Sequence, residues 1–252
     1  MACFRQSKRR TALFLETIPV FEIELTGQPC STGLTVKLQN IVTDALRPAY
    51  DGRCGQLPSQ PVLNSDETPT TEGANKSWLW ALVAARFTVD RIRPNRAGTV
   101  LDELLTERFE GVVGCDRAKM YGRLKRLQWC WAHRIRALSS QPTRQCLIDT
   151  GPPAAQRLGR DPLKQTKFLF QHWHRFRQQH LTRPDWKRTG LKRALAPVHT
   201  EIERLLVRGL RGRHQKTSGT RQELLQHRNR RWTFLDHDGV EPTNNASAVF
   251  SQ

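Results

Sequence analysis

The chain has 252 residues, 37% of them apolar, and a mean hydropathy of −0.61; that is enough for one large packed domain or two smaller ones. No apolar run approaches the roughly 18 to 20 residues of a membrane helix, and six scattered cysteines without a CxxC pair read as reduced thiols, not a disulfide framework. A net charge of +18 and a pI near 10.7 point to a polyanionic partner, DNA or RNA.

The charge is segregated. Residues 117–235 hold 28 Lys and Arg against 6 Asp and Glu, a net of +22, whereas the remainder carries a net of −4. A solvated helical surface would intersperse both signs. The apolar Ala12–Leu15 is too short for a signal h-region, so the expectation is a cytoplasmic protein.

In chain order, residues 1–33 show no clear pattern. Leu34, Leu38, Ile41, Ala45 and Leu46 recur at helical spacing and predict an amphipathic helix ending before Pro48. Residues 51–60 read as a linker. Val62–Asp66 is a short strand delivering a carboxylate at its end, followed by a turn at Pro69. Ser77–Ala84 reads as a strand buried on both faces, and Phe87–Ile92 alternates as a half-covered strand. Thr99–Arg108 is helical. Gly111 opens a second buried strand ending on Asp116, Ala118–Leu127 reads as a helix, and Gln128–Ala132 as a further strand. Beyond His133 the strand signals stop, and Lys164–His180, Pro197–Leu210 and Gln222–Leu235 show helical spacing. The order is mixed α/β followed by a basic all-α subdomain. Two adjacent strands ending on Asp66 and Asp116 would pair carboxylates suited to Mg²⁺.

Six motifs stand in a telling order: Asn64–Pro69 (NSDETP), Trp78-Leu79-Trp80, Val100–Leu105 (VLDELL), Phe109–Asp116 (FEGVVGCD), Cys130–His133 (CWAH) and Gly239–Asn245 (GVEPTNN). Together, over roughly residues 35–247, they resemble the insertion-sequence 66 family of bacterial DDE transposases. The resemblance implies an RNase H-like mixed sheet with flanking helices, interrupted by a basic helical insertion. The corresponding division is an N-terminal segment at 1–57, a catalytic core at 58–140, an insertion at 141–235, and the start of the last catalytic helix at 236–252. It implies Asp66 and Asp116 as catalytic metal ligands, Mg²⁺ or Mn²⁺ as cofactor, DNA and transposon ends as partners, and a possible homo-oligomer on DNA. Where the family carries its third carboxylate, this chain has Ala248, and it stops four residues later, as a truncated or frameshifted copy would.

Two divalent ions about 3.5–4 Å apart stabilise the attacking and leaving oxygens in such chemistry. Two aspartates suffice for one ion, so weak or no strand cleavage is expected. Glu241, before Pro242, is a poor substitute, and Glu67 points to the face opposite Asp66 and is left out. The rival reading is a non-enzymatic DNA-binding remnant; a third is a chain that does not fold stably. A zinc site at Cys130 and His133 lacks a second close-spaced pair. The aromatic stripe Phe168–Phe176 reads as a helix core face, with Arg175 and Arg177 open to phosphate. Arg211, Arg213 and Lys216 form a basic loop that could add phosphate contacts.

Overall fold

A computed structural model describes residues 31–132, 153–182, 187–210 and 222–248. Helix α1 (Thr32–Gln56) starts at an N-cap, where the Ser31 hydroxyl accepts from the Leu34 N–H at 3.1 Å. It does not stop before Pro48 but runs through it, and residues 51–56 are helical, not a linker. An interior proline removes one helical hydrogen bond and costs about 3 kcal/mol. Tertiary anchors beyond it offset that cost. The Tyr50 hydroxyl donates to the Asp90 carbonyl at 2.7 Å, and Leu57, in the 3₁₀ turn that follows, is fully buried.

Five strands follow: β1 (Val62–Glu72), β2 (Asn75–Val83), β3 (Thr88–Arg93), β4 (Val112–Cys115) and β5 (Leu127–Trp129), in sheet order β3-β2-β1-β4-β5. Helix α2 (Thr99–Leu105) precedes β4. The β1–β2 and β2–β3 pairs are antiparallel. At the other side, the Val112 N–H donates to the Pro61 carbonyl at 2.9 Å, which joins the starts of β4 and β1. Cys130 N–H donates to the Cys115 carbonyl at 2.8 Å, which joins the ends of β5 and β4. Those neighbours therefore run in the same direction, and the sheet is mixed.

The first strand is longer than its sequence suggests. It continues through Pro69 to Glu72 and turns at Gly73-Ala74. Gly73 has φ of +64° at the first position of a two-residue hairpin loop, where glycine is favoured. Counting back from the closing Glu72–Asn75 pair, Pro69 faces Trp78 at a non-hydrogen-bonded position. Its missing N–H would have pointed away from β2, so the ladder is intact.

The stretch expected to be a helix over 118–127 is a 3₁₀ turn (Lys119–Arg123) leading into β5. Side-chain anchoring of Tyr121 fixes this stretch more than any helical ladder, as described below.

Contacts divide the chain into two units. The first gathers Met1–Val113, Ala118–Lys125 and Asn245–Gln252. Its core is Leu57, Leu63, Trp80, Leu82, Val89, Leu101 and Leu105. Within it a short helix, Asn245–Ala248, packs against β1 and β2.

The second unit gathers Gly114–Arg117 and Arg126–Asn244. It holds α3 (Pro153–Thr182) and α4 (Arg188–Leu210), which pack together. Leu169, Trp173 and Phe176 form the buried face of α3 and Phe168 is exposed, so the aromatic stripe is core, as its spacing suggests. Helix α4 begins nine residues before Pro197 and carries that proline inside. The 222–235 stretch is a short helix followed by two 3₁₀ turns, not one long helix. These turns close over β5: the Gln128 side chain accepts from the Phe234 N–H at 2.8 Å and donates to the Arg231 carbonyl at 3.1 Å.

Candidate metal site and the buried network behind it

Alternation along β1 sets the two faces of the candidate site. Leu63, Ser65 and Glu67 are buried on one face, while Asp66 is half-buried on the other. Asp66 is the fifth residue of an eleven-residue strand, not its last. Asp116 directly follows β4 and is also half-buried. Asp66 belongs to the first unit and Asp116 to the second. Among the described residues no group of three potential Asp, Glu, His or Cys ligands is gathered.

The antiparallel register adds a residue that sequence reading missed. Asp66 faces Ala81, and Ala81 faces Asp90, so all three share one face of the sheet. Two strand spacings place the Asp66 and Asp90 backbones about 10 Å apart. Asp90 Oδ1 is buried and has no hydrogen-bond partner among the described residues. Burial pushes the Asp90 carboxyl above its ordinary value. The alternating pattern of 87–92 already put Asp90 opposite Val89; the residue across the sheet from it was not visible in the sequence.

Behind Asp66 lies Glu67, only 7% exposed. Its carboxylate accepts from Arg96, with Nε at 2.6 Å, and from the Tyr121 hydroxyl. Tyr121, fully buried, also has its hydroxyl 3.1 Å from Ser65 Oγ. The Tyr121 ring meets Trp80 edge-on at 6.4 Å, and Trp80 is the cross-strand partner of Glu67. Arg96 lies over the Trp78 ring at 5.1 Å. The expectation that Glu67 turns away from Asp66 holds, yet the residue is far from idle. A buried carboxylate is tolerable only when paired and hydrogen-bonded, and this one is.

The third carboxylate is absent where the resemblance requires it: position 248 is Ala, at the end of the helix that packs against β1 and β2. Glu241 does not replace it, since its carboxylate pairs with Arg177 at 3.3 Å. Of the basic residues, Arg175 is exposed on α3 and Arg177 is shared with Glu241. Arg211, Arg213 and Lys216 lie outside the described residues, as does His133. Cys130 is buried and its sulfur accepts from the Asn244 N–H at 3.4 Å. Cys54, Cys115 and Cys130 form no disulfide. No helix among the described residues is long and apolar enough to cross a membrane.

No curated protein matches the chain. A family model does, that of the Transposase IS66 family, over residues 23–247. The match starts earlier than the motif resemblance from residue 35, and it spans the mixed sheet, the two long helices and the Gly239–Asn245 motif. The chain belongs to the IS66 family of transposases.

Proposed function

We propose that this chain is a DNA-binding transposase in which Asp66 and Asp116 hold one Mg²⁺ or Mn²⁺ ion, with strand cleavage impaired by Ala248. The observation that carries this reading is the neighbouring of β1 and β4 in the sheet, one strand bearing Asp66 and the other ending just before Asp116, in a chain of a transposase family. The donor set fits a hard cation: two carboxylates, with water completing the coordination. When bound, the ion would polarise a phosphoryl oxygen and favour attack at phosphorus. Asp66 and Asp116 would orient it. A second ion would lack a ligand of its own.

The mixed sheet is read as an RNase H-like core (58–140) and the basic helices as an insertion (141–235) that grips the DNA backbone, including transposon ends, in the cytoplasm at the nucleoid. Arg175, Arg177, Arg211, Arg213 and Lys216 are the proposed phosphate contacts, and assembly as a homo-oligomer on DNA would fit the activity. Ala248, together with the Glu241–Arg177 pair, supports the second reading, a DNA-binding protein without cleavage activity.

The deciding experiment is a nicking assay on supercoiled DNA with Mn²⁺. Slow nicking that disappears in Asp66→Asn and rises in Ala248→Glu is the expected result. DNA binding with no nicking in either the unmodified chain or Ala248→Glu would leave the non-enzymatic reading standing.

A further inference from the structure

We propose that the exposed apolar face of α1 is a self-association surface, on which a second copy of this chain docks the same helix antiparallel. The inference deepens the homo-oligomer of the proposed function and rests on that part of it alone, since it needs neither metal nor DNA.

Helix α1 is fastened to the sheet through its C-terminal turns. The Tyr50 hydroxyl donates to the Asp90 carbonyl, Arg91 lies over the Tyr50 ring at 5.3 Å, and Arg53 lies over the Phe87 ring at 5.4 Å. The turns before Pro48 differ. Leu34, Val36, Leu38, Ile41, Val42 and Leu46 are exposed there, six of the eight large apolar side chains left exposed among the described residues. Apolar residues scattered singly over a surface need no explanation, but a cluster on one helix marks an interaction surface.

Five of the six form a stripe. At about 100° per residue, Leu34, Leu38, Ile41 and Ala45 lie within about 60° of one another. Val42 and Leu46 widen the stripe to about 140°, the width of a face that packs on another element. Val36 stands on the far side of the helix. Steps of four, three and four residues are those of a paired-helix seam. From Leu34 to Leu46 the seam spans about 18 Å.

Charge selects the occupant and its direction. Helix α1 carries Lys37, Arg47 and Arg53 against Asp44 and Asp51, so it is near neutral and offers little grip to a polyanion. Lys37 and Asp44 are both exposed and flank the seam on one side, one heptad apart. An antiparallel pair that sets Leu38 on Ile41 of the second copy also sets Leu34 on its Ala45. Lys37 then lies within about 3 Å, along the helix axis, of Asp44 of the second copy. Two-fold symmetry makes the same match again from the other side. A parallel pair would set Lys37 against Val42 and Asp44 against Ala49, leaving both charges unmatched. Arg47 approaches Asp44 at 3.5 Å within the helix, but both side chains are exposed and that pair is weak. An interface this short belongs to the small class, below about 1,200 Å² in total, so the dimer is weak and concentration-dependent.

The test is sedimentation velocity of the full chain, free of DNA, over a micromolar concentration series. The unmodified chain is expected to pass from monomer to a species of twice 29.0 kDa. Ile41→Glu, at a side chain 54% exposed, places a charge in the seam and should abolish that species. Val36→Glu, off the stripe, should leave it unchanged. Lys37→Glu turns two attractive pairs into two repulsive ones and should weaken association about five- to tenfold, and adding Asp44→Lys should restore it. The charge variants serve even if circular dichroism shows that Ile41→Glu fails to fold. A chain that stays monomeric throughout gives the face to another segment of its own or to a different protein, and overturns the proposal. A dimer that persists in folded Ile41→Glu overturns it too, as does one that the double exchange fails to restore. DNA binding is read separately by anisotropy: loss of the dimer with DNA binding intact removes this inference alone, whereas a dimer without DNA binding removes the transposase reading and leaves the interface.

Discussion

Among single residues, the two carboxylates flanking Asp66 in sequence and in space live in opposite conditions. Glu67 is buried with a guanidinium and a phenol; Asp90, two strands away on the Asp66 face, has a buried oxygen without a partner among the described residues. Burial raises the Asp90 carboxyl above its ordinary value of 3.8. The folded state therefore holds its proton to higher pH than the unfolded chain does, and stability falls as pH rises through that window. Below 3.8 both states are protonated and the penalty is absent; above the raised value it is complete. Asp90→Asn removes the charge. It is expected to raise stability at pH 7 by about 1 kcal/mol, the low end for an unsatisfied group because the side chain is half-exposed. For a chain of this size that is about 2–4 °C in melting temperature. Calorimetry at pH 7 and again near pH 4 should show the gain shrinking toward the acid side; a gain that is the same at both would mean that burial of charge is not its cause.

Among elements, the entry of β4 beside β1 is a tight junction. Gly111 precedes β4, and a Cβ there would sit 2.4 Å from the Gln60 carbonyl oxygen and 2.6 Å from the Phe109 ring. Backbone cannot yield as a flexible side chain can, so Gly111→Ala forces the two strands apart. A loss of about 1–3 kcal/mol is expected, in the range of overpacked sites, measurable by urea unfolding; a loss under about 0.5 kcal/mol, the range of ordinary surface changes, would show that the junction relaxes. This junction also marks what was legible in the sequence. The strands could be read from local alternation, and Gly111 from its place at a strand entry, but that its hydrogen would face Gln60 could not. Proline was the most misleading signal. Pro48 and Pro69 read as stops and Pro197 as a helix start, yet each lies inside its element. At Pro48 packing outweighs a lost hydrogen bond, and at Pro69 the lost donor was not part of the β1–β2 ladder. Both facts depend on residues distant in the chain. Asp66 and Asp116 stand out in the sequence as candidates because each ends or interrupts an apolar run. Tyr121 and Arg96 carried no such mark: their importance lies in meeting Glu67, 54 and 29 residues away.

For the whole molecule, the segregation of charge makes the firmest physical demand. A surplus of 22 positive charges over 117–235 raises the cost of folding through self-repulsion unless counterions or a polyanion gather there. DNA binding would release condensed counterions, so affinity should fall steeply with salt. If 6–10 phosphates are neutralised, the loss between 50 and 200 mM salt is about 10³ to 10⁵-fold. Fluorescence anisotropy with a short duplex over that salt range gives the slope. Arg175→Ala should lower its magnitude by about 1, the mark of one phosphate contact. Arg177→Ala should lower it less, because Glu241 already shares that guanidinium. Asp66→Asn should leave the slope as it is, since Asp66 lies in the near-neutral part of the chain, outside the basic segment. A slope near zero would remove DNA as the partner and with it the meaning of the charge segregation. A steep slope unmoved by Arg175→Ala would shift the backbone contacts from α3 to another part of the basic segment, leaving DNA as the partner.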